Sequence, residues 1–247
     1  MGTVVSFDVP AAARGDGSLD DALSWLHWVD RVFSPYRADS DVSLLAEAES
    51  TVEACAPEVA EVIAACAAVR TQSGGYFTAA PGGRFDPSGY VKGWAVERAA
   101  AILSRAGSAS HLVNGGGDVQ CVGGRPRAAS SPSAEPWRVG IADPLRPGHL
   151  ALVVAATDGA VATSGVSERG AHIIDPHTGR PPTGLASVTI VGPSLASADA
   201  YATAAFAMGP KLARDWTESL DDYEAHAITA DGEIWQTPGF ARHIAPA

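Results

Sequence analysis

Asp199 and Thr203 stand four residues apart in Asp199-Ala200-Tyr201-Ala202-Thr203, a spacing that sets a carboxylate and a hydroxyl on one face of an α-helix. Hard oxygen ligands so placed can hold Mg²⁺ while leaving positions for water and phosphate. The same residues also fit a helix start, with Ser197 as cap and Asp199 favouring the positive end of the dipole. A second stretch, Asp86-Pro87-Ser88-Gly89-Tyr90-Val91-Lys92-Gly93, carries one of only two lysines (the other is Lys211) in a chain with 17 Lys and Arg. Lysine offers a compact charge on a flexible stem, suited to a single phosphate oxygen, where arginine offers a planar fork. Its place between a glycine-bearing turn and a helix start fits such a role. An isolated lysine in an arginine-rich chain is the plainer alternative.

Three further blocks hold polar chemistry. Asn114-Gly115-Gly116-Gly117-Asp118 departs from GxGxxG and is followed by a strand, which argues against a dinucleotide fingerprint. Its glycines allow close approach to backbone amides, or simply form a β-turn. His172-Ile173-Ile174-Asp175-Pro176 offers a histidine as general base or phosphate contact, or as an ordinary core residue. Ala162-Thr163-Ser164-Gly165 supplies hydroxyls that bind an anion or end a strand. Tyr36 can stack on a planar ring or cover the end of a helix.

Composition bounds the setting. The chain has 247 residues, 46% hydrophobic and 18% charged, as a globular protein does. A formal net charge of −11 argues against nucleic acid or an anionic membrane as partner. An anionic ligand then needs a local cation or an amide nest. The three cysteines (Cys55, Cys66, Cys121) lack metal-site spacing and read as small buried hydrophobes in a reducing compartment. No leader or membrane span is legible, so a cytoplasmic protein is expected.

Apolar periodicity and turn residues predict the elements that position these groups. A first strand covers residues 3–9. Helices follow from Leu19 (capped by Ser18) to Phe33, from Ser40 through Leu45, from Pro57 to Gly74, and from Val91 to Arg105. Strands are expected at 111–113, 119–122, 137–141, 150–156, 160–163 and 186–191, with an exposed hairpin loop over 125–136. Two helices, 197–208 and 210–220, and two short strands, 224–229 and 233–236, complete the chain. Helices and strands fall in blocks, which indicates an α+β fold with antiparallel or mixed sheets flanked by helices, in a single domain over residues 1–247.

Taken in order, these blocks resemble the ApbE family of FAD:protein FMN transferases. They are Met1-Gly2-Thr3, Phe33-Ser34-Pro35-Tyr36-Arg37 with Asp39-Ser40, Asp86 to Gly93, Asn114 to Asp118, Ala162 to Gly165, His172 to Gly179, and Ala198-Asp199 to Thr203 with Met208-Gly209. The resemblance covers roughly residues 1–210. It implies an ApbE-like (T-fold-like) architecture and Mg²⁺-dependent transfer of FMN from FAD to a Thr or Ser hydroxyl of an acceptor flavoprotein, with release of AMP. It assigns the metal to the side chains of Asp199 and Thr203 and to backbone oxygen of Gly89. It assigns flavin-nucleotide contacts to Met1, Tyr36, Tyr76, Phe77, Thr78, Asp86, Lys92, His172 and Ile173, and catalysis to Asp199, Lys92 and His172, the last in proton transfer. Two departures stand out: Gly75-Tyr76-Phe77-Thr78-Ala79-Ala80 lacks the usual Asp and second hydroxyl, and Ala46 replaces an expected Asn. An FAD pyrophosphohydrolase and a noncatalytic FAD-storage protein remain as alternatives.

Overall fold

The computed structural model describes residues 2–10, 17–126, 134–166 and 173–246. Four helices come early: α1 (Ser18–Phe33), α2 (Asp41–Ala46), α3 (Pro57–Gln72) and α4 (Ser88–Arg105). β1 (Val5–Asp8) precedes them. β2 (His111–Gly115) and β3 (Asp118–Val122) follow, then β4 (Arg125–Pro126), β5 (Ala134–Glu135), β6 (Trp137–Ala142), β7 (Leu150–Ala156), β8 (Gly159–Gly165) and β9 (Leu185–Gly192). α5 (Leu195–Thr217), β10 (Glu224–Thr229) and β11 (Ile234–Gln236) close the chain. The α+β expectation holds.

Seven strands form one antiparallel sheet in the order β1-β2-β3-β8-β9-β10-β11. Side chains alternate across a strand, so the central strands serve two cores at once. Ala160 and Ala162 of β8 and Val188 and Ile190 of β9 face the helices, packing with Ala95, Val96, Ala99, Leu195 and Ala198. On the opposite face, Val119, Cys121, Val161 and Val191 meet Trp137, Val139 and Ile141 of the β6–β7 ribbon. β9 is buried along nearly its whole length for this reason.

α5 is buried almost all round, and its alanines (198, 200, 202, 204, 205) let neighbours approach closely. The tightest approach is to α4 at Gly93, where a Cβ would lie 2.4 Å from the Leu195 carbonyl oxygen and 2.9 Å from Asp199 Cβ. Glu97 of α4 adds a second tie, accepting hydrogen bonds from Ser194 Oγ and Ala196 N at 2.8 Å each.

Several boundaries differ from those read in the sequence. α4 begins at Ser88 and not at Val91, because Asp86 Oδ1 accepts from the Ser88 amide at 3.0 Å and satisfies an otherwise orphaned donor. Gly89 is therefore helical, as Lys92 is. The cap of α5 is Ser194, not Ser197: its side chain accepts from the Ser197 amide. Asp199 thus lies beyond the first turn, which removes the dipole explanation for it. Gly17, with φ 84°, holds the cap position of α1, and Ser18 is its first residue. The two expected C-terminal helices are present as the two halves of α5, separated where the backbone leaves helical geometry at Gly209 (φ 73°, ψ 174°) before Pro210, though the first starts at Leu195 and the second ends at Thr217. The ends of the loop expected over 125–136 pair as β4 and β5. Ser40 caps α2 as expected. Cys66 and Cys121 are buried, whereas Cys55 is half-buried.

Gly93→Ala is expected to lower stability by about 2 kcal/mol, the usual penalty for overpacking a closed contact, seen as roughly a 4–8 °C drop in Tm. An unchanged melting curve would mean that the helices part without cost.

Candidate functional site

The start of α4, the second and third turns of α5 and the end of β8 converge with three loops around a cleft of about 410 Å³. Its lining includes Tyr36, Tyr76, Phe77, Thr78, Asp86, Gly89, Lys92, Ile173, Asp199 and Thr203. Ten of the twelve residues singled out in the sequence therefore share one cavity, although they span positions 36 to 203. The other two, Met1 and His172, lie outside the described residues.

The deep end is polar. Asp199, 3% exposed, accepts the Gly93 amide on Oδ2 at 2.9 Å, and its Oδ1 lies 3.4 Å from Lys92 Nζ. Thr203 sits one turn further along α5, its Oγ1 only 3.5 Å from Ser164 Oγ. A Cβ on Gly89 would lie 3.8 Å from Thr203 Oγ1, so the first turn of α4 rests against that hydroxyl.

Lys92 also forms an ion pair and hydrogen bond with Asp118. Asp118 belonged to a motif recognised in the sequence, but its role was missed. The signal is visible in hindsight: in the β2–β3 hairpin, Val119 and Cys121 face the ribbon core, so Asp118 faces the helices. Thr163, Ser164 and Gly165 end β8, one of the two readings made of them, and they also line the cleft.

The mouth is aromatic. Tyr36 is 85% exposed, and no aromatic partner is found for it among the described residues, so its ring is presented to solvent at the cleft edge. That fits stacking better than covering a helix end. Tyr76 packs edge-on against His177 with ring centroids 4.5 Å apart. Phe77 is 1% exposed and builds the cleft wall from the core side. Thr78 Oγ1 accepts the Ala80 amide at 3.1 Å, and Asp86 holds the start of α4. The Asn114–Asp118 segment is a hairpin turn, with Gly116 and Gly117 both at positive φ (61° and 95°) and the Gly117 amide bonded to Asn114 Oδ1.

Burial pushes the Asp199 carboxyl up to about 7; Asp118 adds to this, while Lys92 and the Gly93 amide oppose it. Burial alone would lower the Lys92 pKa, but Asp199 and Asp118 more than reverse that, so the ammonium is held charged above the ordinary lysine range.

The donor set suits a hard cation. One buried carboxylate, one hydroxyl and a main-chain carbonyl are all oxygens, few enough to leave places for water or phosphate. Among the described residues no three His, Cys, Asp or Glu side chains cluster to hold a metal.

A helical layer on an antiparallel sheet backed by a ribbon is the architecture of known flavin transferases. "Flavin Transferase ApbE from Vibrio cholerae" superposes with a TM-score of 0.84, covering 98% of this chain and 96% of that one at 22% identity. The Thermotoga maritima ApbE protein gives 0.83, covering 99% and 95% at 23% identity. The ApbE family model matches residues 1–83 and 78–227, and the chain belongs to the ApbE family. A curated relative from Rhodobacter capsulatus, named FAD:protein FMN transferase, is 31% identical over 243 residues, 92% of this chain and 42% of its own length. One of the same name from Treponema pallidum is 39% identical over 176 residues, 66% of this chain and 48% of its own. The chain thus spans about half the length of the curated relatives it matches. No described helix is long and apolar enough to cross a membrane.

The raised Asp199 pKa has a signed consequence for stability. Between the ordinary aspartate value of 3.8 and about 7, the folded carboxyl keeps a proton that an unfolded one has lost, so stability falls as pH rises through that window. In EDTA, the Tm of Asp199→Asn relative to wild type should therefore be higher at about pH 8 than at about pH 5. A difference independent of pH would contradict burial as the dominant cause.

Proposed function

We propose that this chain, acting as one domain over residues 1–247, transfers the FMN moiety of FAD to a Thr or Ser hydroxyl of an acceptor flavoprotein, releases AMP and requires Mg²⁺. The observation that carries the reading is the meeting, in one cleft, of an exposed tyrosine at the mouth with Asp199, Thr203, Gly89 and Lys92 at the polar end. The names of the curated relatives support the same activity.

In this reading Tyr36 stacks on the planar ring of the donor, with Tyr76 beside it. Asp199, Thr203 and backbone oxygen of Gly89 hold Mg²⁺, which supplies charge neutralisation on the diphosphate. Lys92 directs its free N–H at a phosphate oxygen and stabilises charge that builds up there. The acceptor oxygen attacks the FMN-side phosphorus. A P–O bond forms to the acceptor, the bond to the bridging oxygen breaks, and AMP departs with that oxygen. The hydroxyl proton is assigned to His172, on resemblance alone. Positioning and electrostatics do most of the work, as in other phosphoryl transfers. A storage protein would have little use for a buried carboxylate held against its own desolvation.

Incubation with FAD, Mg²⁺ and a Thr/Ser-containing acceptor peptide should add an FMN-sized increment to the peptide by mass spectrometry, and EDTA or Asp199→Ala should abolish it. AMP without labelling would make the chain a hydrolase; intact FAD would make it a binding protein. Tyr36→Ala is expected to weaken FAD binding by about 3- to 10-fold, the scale of one aromatic stacking contact, measured by flavin fluorescence. Unaltered affinity would remove Tyr36 from the site.

A further inference from the structure

Asp118 is a buried carboxylate that stands behind Lys92, outside the lining of the cleft, and that the chemistry above does not use. It is 1% exposed and both its oxygens are committed. Oδ1 accepts the Thr163 amide of β8 at 3.0 Å, and Oδ2 takes the Lys92 ammonium. Lys92 Nζ lies between two carboxylates, bonded to Asp118 and 3.4 Å from Asp199 Oδ1. An ammonium and a divalent cation compete for the same carboxylate oxygen, and at such burial the attraction is only weakly screened. Asp199 is therefore open to a metal only while Lys92 has another anion to satisfy it.

We propose that Asp118 is a positioning residue that engages the Lys92 ammonium and so leaves the Asp199 carboxylate to a divalent cation. This rests on the reading of Asp199 and Thr203 as cation ligands. Formal charges point the same way. Two carboxylates and one ammonium sum to −1 (−2 + 1), which attracts a cation, whereas without the Asp118 charge the sum is zero (−1 + 1) and the ammonium has only Asp199 to pair with. The Thr163 amide fixes the Asp118 carboxylate to the sheet, so Lys92 is tethered to β8 through Asp118 as well as lying beside α5.

The test is Mn²⁺ binding to the full chain without flavin, followed by electron paramagnetic resonance or calorimetry, with thermal unfolding recorded for every variant. Asp118→Asn should weaken Mn²⁺ about tenfold or more, the scale at which partners outside a metal's ligand set act. Lys92→Met combined with Asp118→Asn should return affinity to within about threefold of wild type, since the competing ammonium is gone. A purely structural Asp118 would leave the double variant as weak as the single one. That result, or wild-type affinity in Asp118→Asn, overturns the proposal. Should Asp118→Asn not fold, Lys92→Met alone must bind Mn²⁺ more tightly than wild type; equal or weaker binding overturns it. Wild-type protein lacking a Mn²⁺ site that Asp199→Ala removes would sink the cation reading itself, and this inference with it.

Discussion

The close crossing of α4 and α5 at Gly93 is the constraint on which the site depends. Only a residue without a side chain lets the Leu195 carbonyl and the Asp199 side chain come so near to α4. The approach delivers a main-chain amide to Asp199 and brings Lys92 beside it. A carboxylate buried this deeply would otherwise be unsatisfied and costly. Glu97, capping the start of α5 from α4, fixes the register of the two helices as well as their separation. Packing and electrostatics are thus a single problem here, solved by one missing Cβ.

The sheet supplies what the helices cannot. Its central strands are covered on both faces, by helices on one side and by the β6–β7 ribbon on the other, so the end of β8 is a firm support. From that support Thr163 orients Asp118, and Ser164 approaches Thr203. The cleft therefore has a stiff polar end and, at its mouth, an exposed ring on the corner after α1. The net charge of −11 is no obstacle to an anionic ligand when the charge it meets in the cleft is a tethered ammonium.

Much of this was legible in the chain itself. Apolar periodicity located the helices, and the blocks around Asp86, Asp199 and Tyr36 proved to share a cavity. Boundaries shifted where a side chain outside the periodic run supplied the cap, as Asp86 does for α4 and Ser194 for α5. Such caps are interchangeable in sequence, because Ser194 and Ser197 both look suitable. Asp118 escaped notice for a different reason. The glycines before it advertise a turn, whereas its partner is a lysine 26 positions away, and pairing over such a distance leaves no local pattern. The closeness of Gly93 to Leu195 is equally silent, since a glycine inside a helix reads only as a weakness.

The β2–β3 hairpin has its own consequence. Gly116 and Gly117 form a two-residue connection whose tightness sets the pairing of Gly115 with Asp118. Because strands alternate with period two, the parity of that connection decides which way Asp118 looks. Adding or deleting one residue there would send its carboxylate into the apolar layer beside the ribbon and bring Val119 round to Lys92. The length of the turn is therefore bound to the site, and its composition is held separately by the two positive φ angles and by Thr3, whose Oγ1 would lie 2.3 Å from a Cβ on Gly116.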